Sequence, residues 1–113
     1  MQSPTLSLNE KLRSLLTELK QRFQAEYGER LVNMILFGSQ ARGDAEAGSD
    51  IDVLVVLQGD VIPSIEIFKT EVIVGDISLK YDEVLSCLFM AETRFLTEHN
   101  LLLNNIQADG IAI

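Results

Sequence analysis

Apolar residues recur at spacings of three and four along the first part of the chain, with charged and polar residues between them. This spacing predicts an amphipathic helix whose leucine-rich face packs on a core. Ser7 followed by Glu10 is the pattern of a capping box, which predicts where the helix begins, and Gly28 predicts where it ends. The apolar positions of this face are Leu8, Leu12, Leu15, Leu16, Leu19 and Phe23.

Three continuous apolar runs predict buried strands. The first, Leu31–Phe37, ends abruptly at a Gly-Ser pair, and the second, Ile51–Leu57, is followed by the polar triplet Gln-Gly-Asp. The third covers residues 84–90 and contains Cys87, the single cysteine of the chain, for which we expect a buried apolar role. A single cysteine excludes a disulfide within the chain.

Helical segments follow the second and third strands. Pro63 predicts the start of a helix that runs to about Tyr81, although the stretch at 72–75 weakens helical propensity in its middle. A short helical piece around 91–97, an amphipathic tail at 101–106 and an apolar end at 111–113 that could join the sheet complete the chain. The side chains available for burial from the 63–81 helix are Ile67, Phe68, Val72, Ile77 and Leu79.

The order of the main elements is α-β-β-α-β-α, which favours an α/β (α+β) fold with one small mixed sheet covered by helices. The length of 113 residues fits a single domain over residues 1–113. Sheet edges and amphipathic helices in so small a domain favour association, as a homodimer or a heterocomplex.

Charge and composition exclude several classes of function. The chain has 17 acidic and 9 basic residues, and residues 31–113 carry thirteen of the acidic ones against four basic ones. Such a surface repels nucleic-acid backbones and anionic membranes, so direct binding to either is not expected. The start of the sequence lacks an apolar targeting segment and no stretch is long enough to span a membrane, so a cytoplasmic location is expected.

The segment between the first two predicted strands carries the candidate chemistry. Gly38 and Ser39 follow a strand directly, where a glycine turn can bring backbone N–H groups to a phosphate. Asp50 and Asp52 stand two residues apart at the start of the next strand, so their side chains point to one face and can hold a divalent cation jointly. Oxygen ligands of this kind suit Mg²⁺, and the combination is typical of phosphoryl or nucleotidyl transfer sites.

A purely structural role for the two aspartates is the alternative, with Asp50 capping a turn and Asp52 bonded to backbone N–H groups. Asp52 lies among aliphatic residues, however, and burying its charge without a cation or a partner would cost several kcal/mol. The functional interpretation is therefore favoured. Arg42 is interpreted either as a contact to phosphate or acceptor, or as a partner for Asp44 or Asp50.

The residues Gly-Ser-Gln-Ala-Arg-Gly at 38–43, followed by Ser-Asp-Ile-Asp at 49–52, resemble the signature of the minimal nucleotidyltransferases. These proteins are the small antitoxin-type branch of the DNA polymerase β-like nucleotidyltransferase superfamily. The resemblance implies a compact nucleotidyltransferase fold, Mg²⁺ and a nucleoside triphosphate, usually ATP. It implies that Gly38 and Ser39 contact the triphosphate and that Asp50 and Asp52 ligate the metal. Members are commonly paired with a HEPN-domain ribonuclease toxin, and some neutralise it by adding AMP to one of its tyrosines.

The sequence departs from the superfamily pattern on the third predicted strand, where a further catalytic carboxylate usually lies. Asp76, Asp82 and Glu83 precede that strand and are the candidates to replace it, with Glu83 favoured. Two functions therefore stay open. The first is Mg²⁺-dependent transfer of AMP from ATP to a protein hydroxyl, with the two aspartates and Arg42 as catalytic residues and a HEPN toxin as acceptor. The second is an antitoxin that binds nucleotide without efficient transfer and neutralises a HEPN partner by forming a complex.

Overall fold

A four-stranded mixed β-sheet carries helices on both faces in the computed structural model, which describes residues 8–113. Its helices are α1 (Glu10–Tyr27), α2 (Ser39–Arg42), α3 (Pro63–Tyr81), α4 (Glu92–Thr97) and α5 (Leu101–Asp109). Its strands are β1 (Leu31–Phe37), β2 (Ile51–Leu57), β3 (Leu85–Ala91) and β4 (Ile111–Ala112), and a 3-10 turn, Gly28–Arg30, joins α1 to β1. The predicted fold class is confirmed. None of the described helices is long and apolar enough to span a lipid bilayer.

Helix α1 begins at an asparagine cap. The side chain of Asn9 accepts a hydrogen bond from the backbone N–H of Leu12 at 2.8 Å, which satisfies a donor that a first helical turn leaves without an intrahelical partner. The predicted capping box is therefore wrong, because Asn9 is the cap and Glu10 is the first helical residue. Ser7 lies outside the described residues. The helix ends at Gly28, as predicted, where φ is 54°.

The sheet has the strand order β3-β2-β1-β4. β1 runs antiparallel to β2 and to β4, whereas β2 and β3 are parallel and are connected by α3. The third strand lies one residue later than expected, and the predicted addition of the chain end to the sheet is confirmed by β4. Within residues 8–113, β3 pairs only with β2, so its other side is an exposed edge of the sheet.

Side chains of β2 alternate between two layers of the core. Val53 and Val55 face α1 and α3, where the leucine-rich face of α1 is buried as predicted. Leu54 and Val56 face the other way, toward α4 and α5. Because side chains alternate along a strand, Asp52 lies on the same face as Leu54. The catalytic candidates therefore sit on the α4–α5 side of the sheet.

Helix α3 spans the predicted range but buries a different face. Of the five side chains expected to be buried, only Ile77 is buried, and the other four are exposed. The buried face instead contains Glu66, Thr70 and Ile73 beside Ile77. Glu66 can be accommodated there because the Tyr27 hydroxyl donates a hydrogen bond to its carboxylate at 2.9 Å and two basic side chains lie 3.8 Å away. The helix thus turns a largely apolar face outward.

Candidate active site

The glycine turn and the two aspartates lie side by side at one end of the sheet. Because β1 and β2 are antiparallel, the end of β1 lies beside the start of β2, and Phe37 is paired with Asp52. Gly38 follows Phe37 directly, and α2 begins at Ser39. Asp50 immediately precedes β2. The structure therefore brings the glycine turn and the aspartate pair, which are separate in sequence, to one place.

Gly38 permits a close approach between the turn and a carboxylate. Its backbone has φ 75° and ψ −157°, a conformation that is essentially restricted to glycine. A Cβ atom on residue 38 would lie 2.8 Å from Oδ2 of Asp52, which is closer than side-chain carbons normally come. Both observations require glycine at this position, and they keep any side chain out of the space beside the Asp52 carboxylate.

The two aspartates repel each other. Asp52 is partly buried and Asp50 is exposed. Burial, followed by the negative charge of Asp50, raises the pKa of Asp52 above its ordinary value. Within the described part of the chain, no backbone N–H group donates to either carboxylate, so the purely structural alternative lacks the bonds that it requires. Two carboxylates in mutual repulsion fit a divalent cation such as Mg²⁺, because the cation would neutralise both.

Gln40 holds the loop that carries Asp50. Its side-chain amide donates to the backbone carbonyl of Ser49 at 3.3 Å, and Ser49 Oγ accepts a hydrogen bond from the backbone N–H of Glu46 at 3.0 Å. Because Ser49 immediately precedes Asp50, the hydrogen bond from Gln40 fixes the position of Asp50 relative to α2. Gln40 is not among the site residues predicted from the sequence. Its place within the 38–43 segment was the available signal, but the contact depends on how the following loop folds.

Arg42 lies at the exposed end of α2. Its Nε is 3.2 Å from Oδ2 of Asp44, which is one of the two structural partners expected from the sequence. The same side chain lines a cleft of about 180 Å³ that opens beside Gly38 and is walled by Phe37 and by α5. With 47% of its side chain exposed, the guanidinium remains accessible to an anion at the glycine turn.

The strand next to β2 presents a hydroxyl rather than a carboxylate to the site. The residue paired with Asp52 on β3 is Ser86. Two of the expected substitutes, Glu83 and Asp76, each contact a basic residue of α1, at 3.0 and 3.3 Å, and α1 covers the sheet face opposite to Asp52. The third, Asp82, is the C-cap of α3. Residues 8–113 contain no group of three or more His, Cys, Asp or Glu side chains placed to hold a metal ion.

Comparison of the sequence with known proteins gives a consistent result. The sequence model of the nucleotidyltransferase domain family matches residues 12–104. Two proteins of Methanocaldococcus jannaschii, each with the provisional name protein adenylyltransferase, are similar to this chain. One is 35% identical over 80 residues, which cover 70% of this chain and 79% of that protein. The other is 44% identical over 45 residues, which cover 40% of this chain and only 31% of that protein.

Solved structures share the fold. A toxin–antitoxin structure with AMP-PNP has a TM-score of 0.60 at 16% identity, over 92% of this chain and 72% of that chain. A variant of the toxin–antitoxin MntA-HpeT has a TM-score of 0.54 at 20% identity, over 95% of this chain and 72% of that chain. At these identities the likeness shows a common fold and nothing finer.

Proposed function

Because the chain belongs to the nucleotidyltransferase domain family, we propose that it transfers AMP from ATP to a hydroxyl group of a protein. The observation that carries this proposal is the approach of the Gly38 turn to the carboxylate of Asp52, with Asp50 close enough to influence its pKa. A glycine turn and two carboxylates supply the phosphate contact and the metal ligands that nucleotidyl transfer needs. The names of the two relatives support a protein as the acceptor.

Each candidate residue has a distinct role in this proposal. Gly38 and Ser39 bind the β- and γ-phosphates at the turn, and the Arg42 guanidinium offsets negative charge that develops on the triphosphate. Asp50 and Asp52 hold Mg²⁺, which when bound supplies positive charge at the α-phosphate. Gln40 fixes the loop before Asp50 and is a positioning residue rather than a catalytic one.

The bonds that change follow from the proposed substrates. The oxygen of the acceptor hydroxyl forms a bond to the α-phosphorus of ATP, and the bond from that phosphorus to the oxygen bridging to the β-phosphate breaks. Pyrophosphate leaves with the electron pair of that bond, and the hydroxyl proton passes to a base or to water. Catalysis of such a step is mostly positioning and charge neutralisation, which are the two things this turn and these carboxylates provide.

The proposed acceptor is a tyrosine of a HEPN-domain ribonuclease toxin, with this chain as the cytoplasmic antitoxin. The support is twofold: the fold is shared with toxin–antitoxin structures, and the segment 38–52 resembles the minimal nucleotidyltransferase signature. The formal charge of −8 also suits a basic protein partner better than a nucleic acid.

A second function rests on the serine opposite Asp52. Without a carboxylate from β3, the site has fewer groups to bind metal and to accept the hydroxyl proton. The chain would then neutralise the HEPN-domain protein by forming a complex with it, and bound nucleotide would have no transfer role.

Intact-mass spectrometry separates the two functions. The HEPN-domain protein is incubated with this chain, ATP and Mg²⁺, and we expect it to gain the mass of one or more AMP groups. The double variant Asp50→Asn, Asp52→Asn should give no mass gain. Asp60→Asn, which changes an exposed aspartate beyond the other end of β2, is the matched control and should retain transfer. A toxin that is silenced in a complex without any mass gain would refute the transferase and support the second function.

A further inference from the structure

Ser86 lies next to Asp52 on the neighbouring strand of the sheet. The strands β2 and β3 are parallel, and Asp52 is paired with Ser86 across them. A hydrogen bond of 2.8 Å from the backbone N–H of Ile51 to the carbonyl oxygen of Val84 fixes the register at this end of the two strands. Neighbouring strands lie about 4.8 Å apart, so side chains of paired residues on one face are direct neighbours.

The Ser86 side chain faces the same side of the sheet as the Asp52 carboxylate. Met90 of β3 packs with Leu54 of β2 in the layer that α4 and α5 cover, whereas Phe89 packs in the opposite layer. Because side chains alternate along a strand, Ser86 points the same way as Met90, and Asp52 points the same way as Leu54. Ser86 is exposed, so neither α4 nor α5 covers it. A nucleotide held at Asp52 therefore has open access to the Ser86 hydroxyl.

The hydroxyl of Ser86 has no part in the hydrogen bonding of the fold. It makes no hydrogen bond with any of residues 8–113. Ser49, in the loop before the aspartates, differs in that its hydroxyl oxygen accepts a hydrogen bond from the backbone N–H of Glu46 at 3.0 Å. The Ser86 oxygen is thus available for chemistry.

The strand order places Ser86 and the Gly38 turn on opposite sides of Asp52. β2 lies between β1 and β3, and Phe37, Asp52 and Ser86 form one row across the sheet. In the proposed reaction, the turn after Phe37 holds the β- and γ-phosphates, and Asp52 helps to hold the metal at the α-phosphate. Displacement at phosphorus is in line, so the incoming oxygen and the leaving pyrophosphate lie on opposite sides of it. The attacking oxygen must then come from the side of β3, where Ser86 lies.

We propose that Ser86 is itself an acceptor, and that the chain adenylylates its own Ser86 when no acceptor protein occupies the site. Ser86 Oγ forms a bond to the α-phosphorus of ATP, and the bond from that phosphorus to the oxygen bridging to the β-phosphate breaks. Pyrophosphate leaves with the electron pair of that bond, and the hydroxyl proton passes to water. This inference rests on the proposed function, because it uses the same ATP and the same two aspartates.

Proximity favours the reaction at Ser86, and the acidity of its hydroxyl limits the rate. Ser86 and Asp52 belong to one chain, so the acceptor is already in place once ATP is bound. A serine hydroxyl gives up its proton less readily than a tyrosine hydroxyl, and β3 contains no carboxylate to accept that proton. We therefore expect slow self-adenylylation whose rate constant does not change when the protein is diluted, and which an acceptor protein suppresses.

Intact-mass spectrometry of the chain alone tests the proposal. With ATP and Mg²⁺ and no partner protein, the wild type should gain the mass of one AMP, and peptide mapping should place it on Ser86. Ser86→Ala should gain no AMP, whereas Ser86→Thr, which keeps a hydroxyl, should still gain one. Ser64→Ala is the matched control and should be modified as the wild type is, because Ser64 is exposed at the start of α3, beyond the other end of β2.

Protection from alkylation tests the placement of residue 86 without any transfer. The probe is an ATP analogue with a methylene bridge between its α- and β-phosphates. At saturation it should slow the alkylation of Ser86→Cys by iodoacetamide at least ~5-fold, because bound nucleotide covers the thiol. The analogue should not protect Ser64→Cys. Cys87 adds little background, since burial raises the pKa of its thiol to about 12.

The results separate this inference from the proposed function. If the wild type transfers AMP to the HEPN-domain protein but gains none itself, self-adenylylation is overturned and the transferase function is kept. AMP found on another residue, an undiminished gain in Ser86→Ala, a rate constant that rises with protein concentration, or a lack of protection in Ser86→Cys would each overturn the inference too. A gain at Ser86 without transfer to the HEPN-domain protein would keep the inference and remove that protein as acceptor. A chain that transfers AMP to neither overturns both.

Discussion

Replacing Gly38 by alanine tests the geometry of the candidate active site directly. The backbone of Gly38 has φ 75° and ψ −157°, and holding an alanine in this conformation costs about 1–3 kcal/mol. The new Cβ would lie 2.8 Å from Asp52 Oδ2, whereas ordinary contact begins at 3.4 Å, so the carboxylate must move by about 0.6 Å. Turning the aspartate away from its preferred rotamer adds about 0.5–1.5 kcal/mol. The expected loss of stability is therefore about 1.5–4.5 kcal/mol, or roughly 6–18 °C in Tm.

Gly43→Ala is the matched control for backbone strain. Gly43 also has a positive φ, 82° with ψ 11°, but no atom lies within 4 Å of the position of a Cβ. We expect this variant to lose about 1–2 kcal/mol from strain alone. The proposed Mg²⁺ site predicts that Gly43→Ala keeps any stabilisation measured on adding Mg²⁺ to the wild type. Gly38→Ala should reduce that stabilisation, because the displaced carboxylate could no longer hold the cation together with Asp50.

A double-mutant cycle separates the contact from the strain. In an Asp52→Ala background the carboxylate is gone and the nearest remaining atom, Cβ of residue 52, is at an ordinary distance of 3.8 Å. Gly38→Ala should therefore cost less there, by about 0.5–1.5 kcal/mol in urea denaturation. If the cost is the same in both backgrounds, or if the two glycine variants lose equal stability, the inferred contact between Gly38 and Asp52 does not constrain the site.

Three further changes probe the site and the core. Because burial and its acidic neighbour raise the pKa of Asp52, its ionisation disfavours the fold as pH rises through the raised pKa. Asp52→Asn should therefore have a higher Tm than the metal-free wild type at pH 7, and the two Tm values should converge at acid pH. The same variant should lower the rate of AMP transfer at least ~100-fold. Ser86→Asp should tighten Mn²⁺ binding about tenfold in calorimetry by adding a carboxylate opposite Asp52, and unchanged affinity would contradict the strand register. Tyr27→Phe should cost about 2 kcal/mol in urea denaturation because it leaves the buried Glu66 carboxylate without its donor, whereas Tyr81→Phe removes a more exposed bond and should cost about 0.5 kcal/mol.

The sequence predicts the strands and most helices because those elements are defined by local patterns. β1 and β2 have the predicted bounds, since each is a continuous apolar run that ends at polar or glycine residues. The N-terminus of α1 was misplaced because several residues near position 8 are good caps. Asn9 becomes the cap because a helix that begins there can pack its leucine-rich face on the sheet, and a local capping motif contains no information about that packing.

The buried face of α3 could not be predicted from the helix alone. The sequence offers two faces, and the one with fewer aliphatic side chains is the buried one. The choice of buried face depends on tertiary structure. Tyr27 at the end of α1 donates a hydrogen bond to Glu66, and this bond allows the carboxylate to be buried. The hydrophobicity pattern of α3 contains no information on a hydrogen-bond donor such as the Tyr27 hydroxyl, which lies 39 positions away from Glu66 in sequence.

The proximity of the two aspartates was predictable because side chains two residues apart in extended backbone point to one side. Asp50 itself lies one residue before β2. The partner residue on β3 was not predictable, since it depends on the register between two strands joined by a long helix. The residues predicted to supply a third carboxylate, 76, 82 and 83, all precede β3, whereas the register places Ser86 opposite Asp52. The pairing of residues between β2 and β3 depends on how the connection through α3 packs, so it cannot be predicted from the sequence of either strand alone.

A site with two aspartates and a serine on β3 makes the chemistry of the acceptor important. The hydroxyl of Ser86 cannot serve as an effective base at neutral pH, so the described residues opposite Asp52 give little help in removing a proton from the attacking oxygen. A tyrosine hydroxyl has an ordinary pKa of about 10, well below the pKa of an aliphatic hydroxyl, so a phenol gives up its proton far more readily than a serine or threonine side chain. Tyrosine is therefore the protein hydroxyl least dependent on a general base. The missing carboxylate and a tyrosine acceptor are parts of the same proposal, because the acceptor then supplies the reactivity that β3 does not.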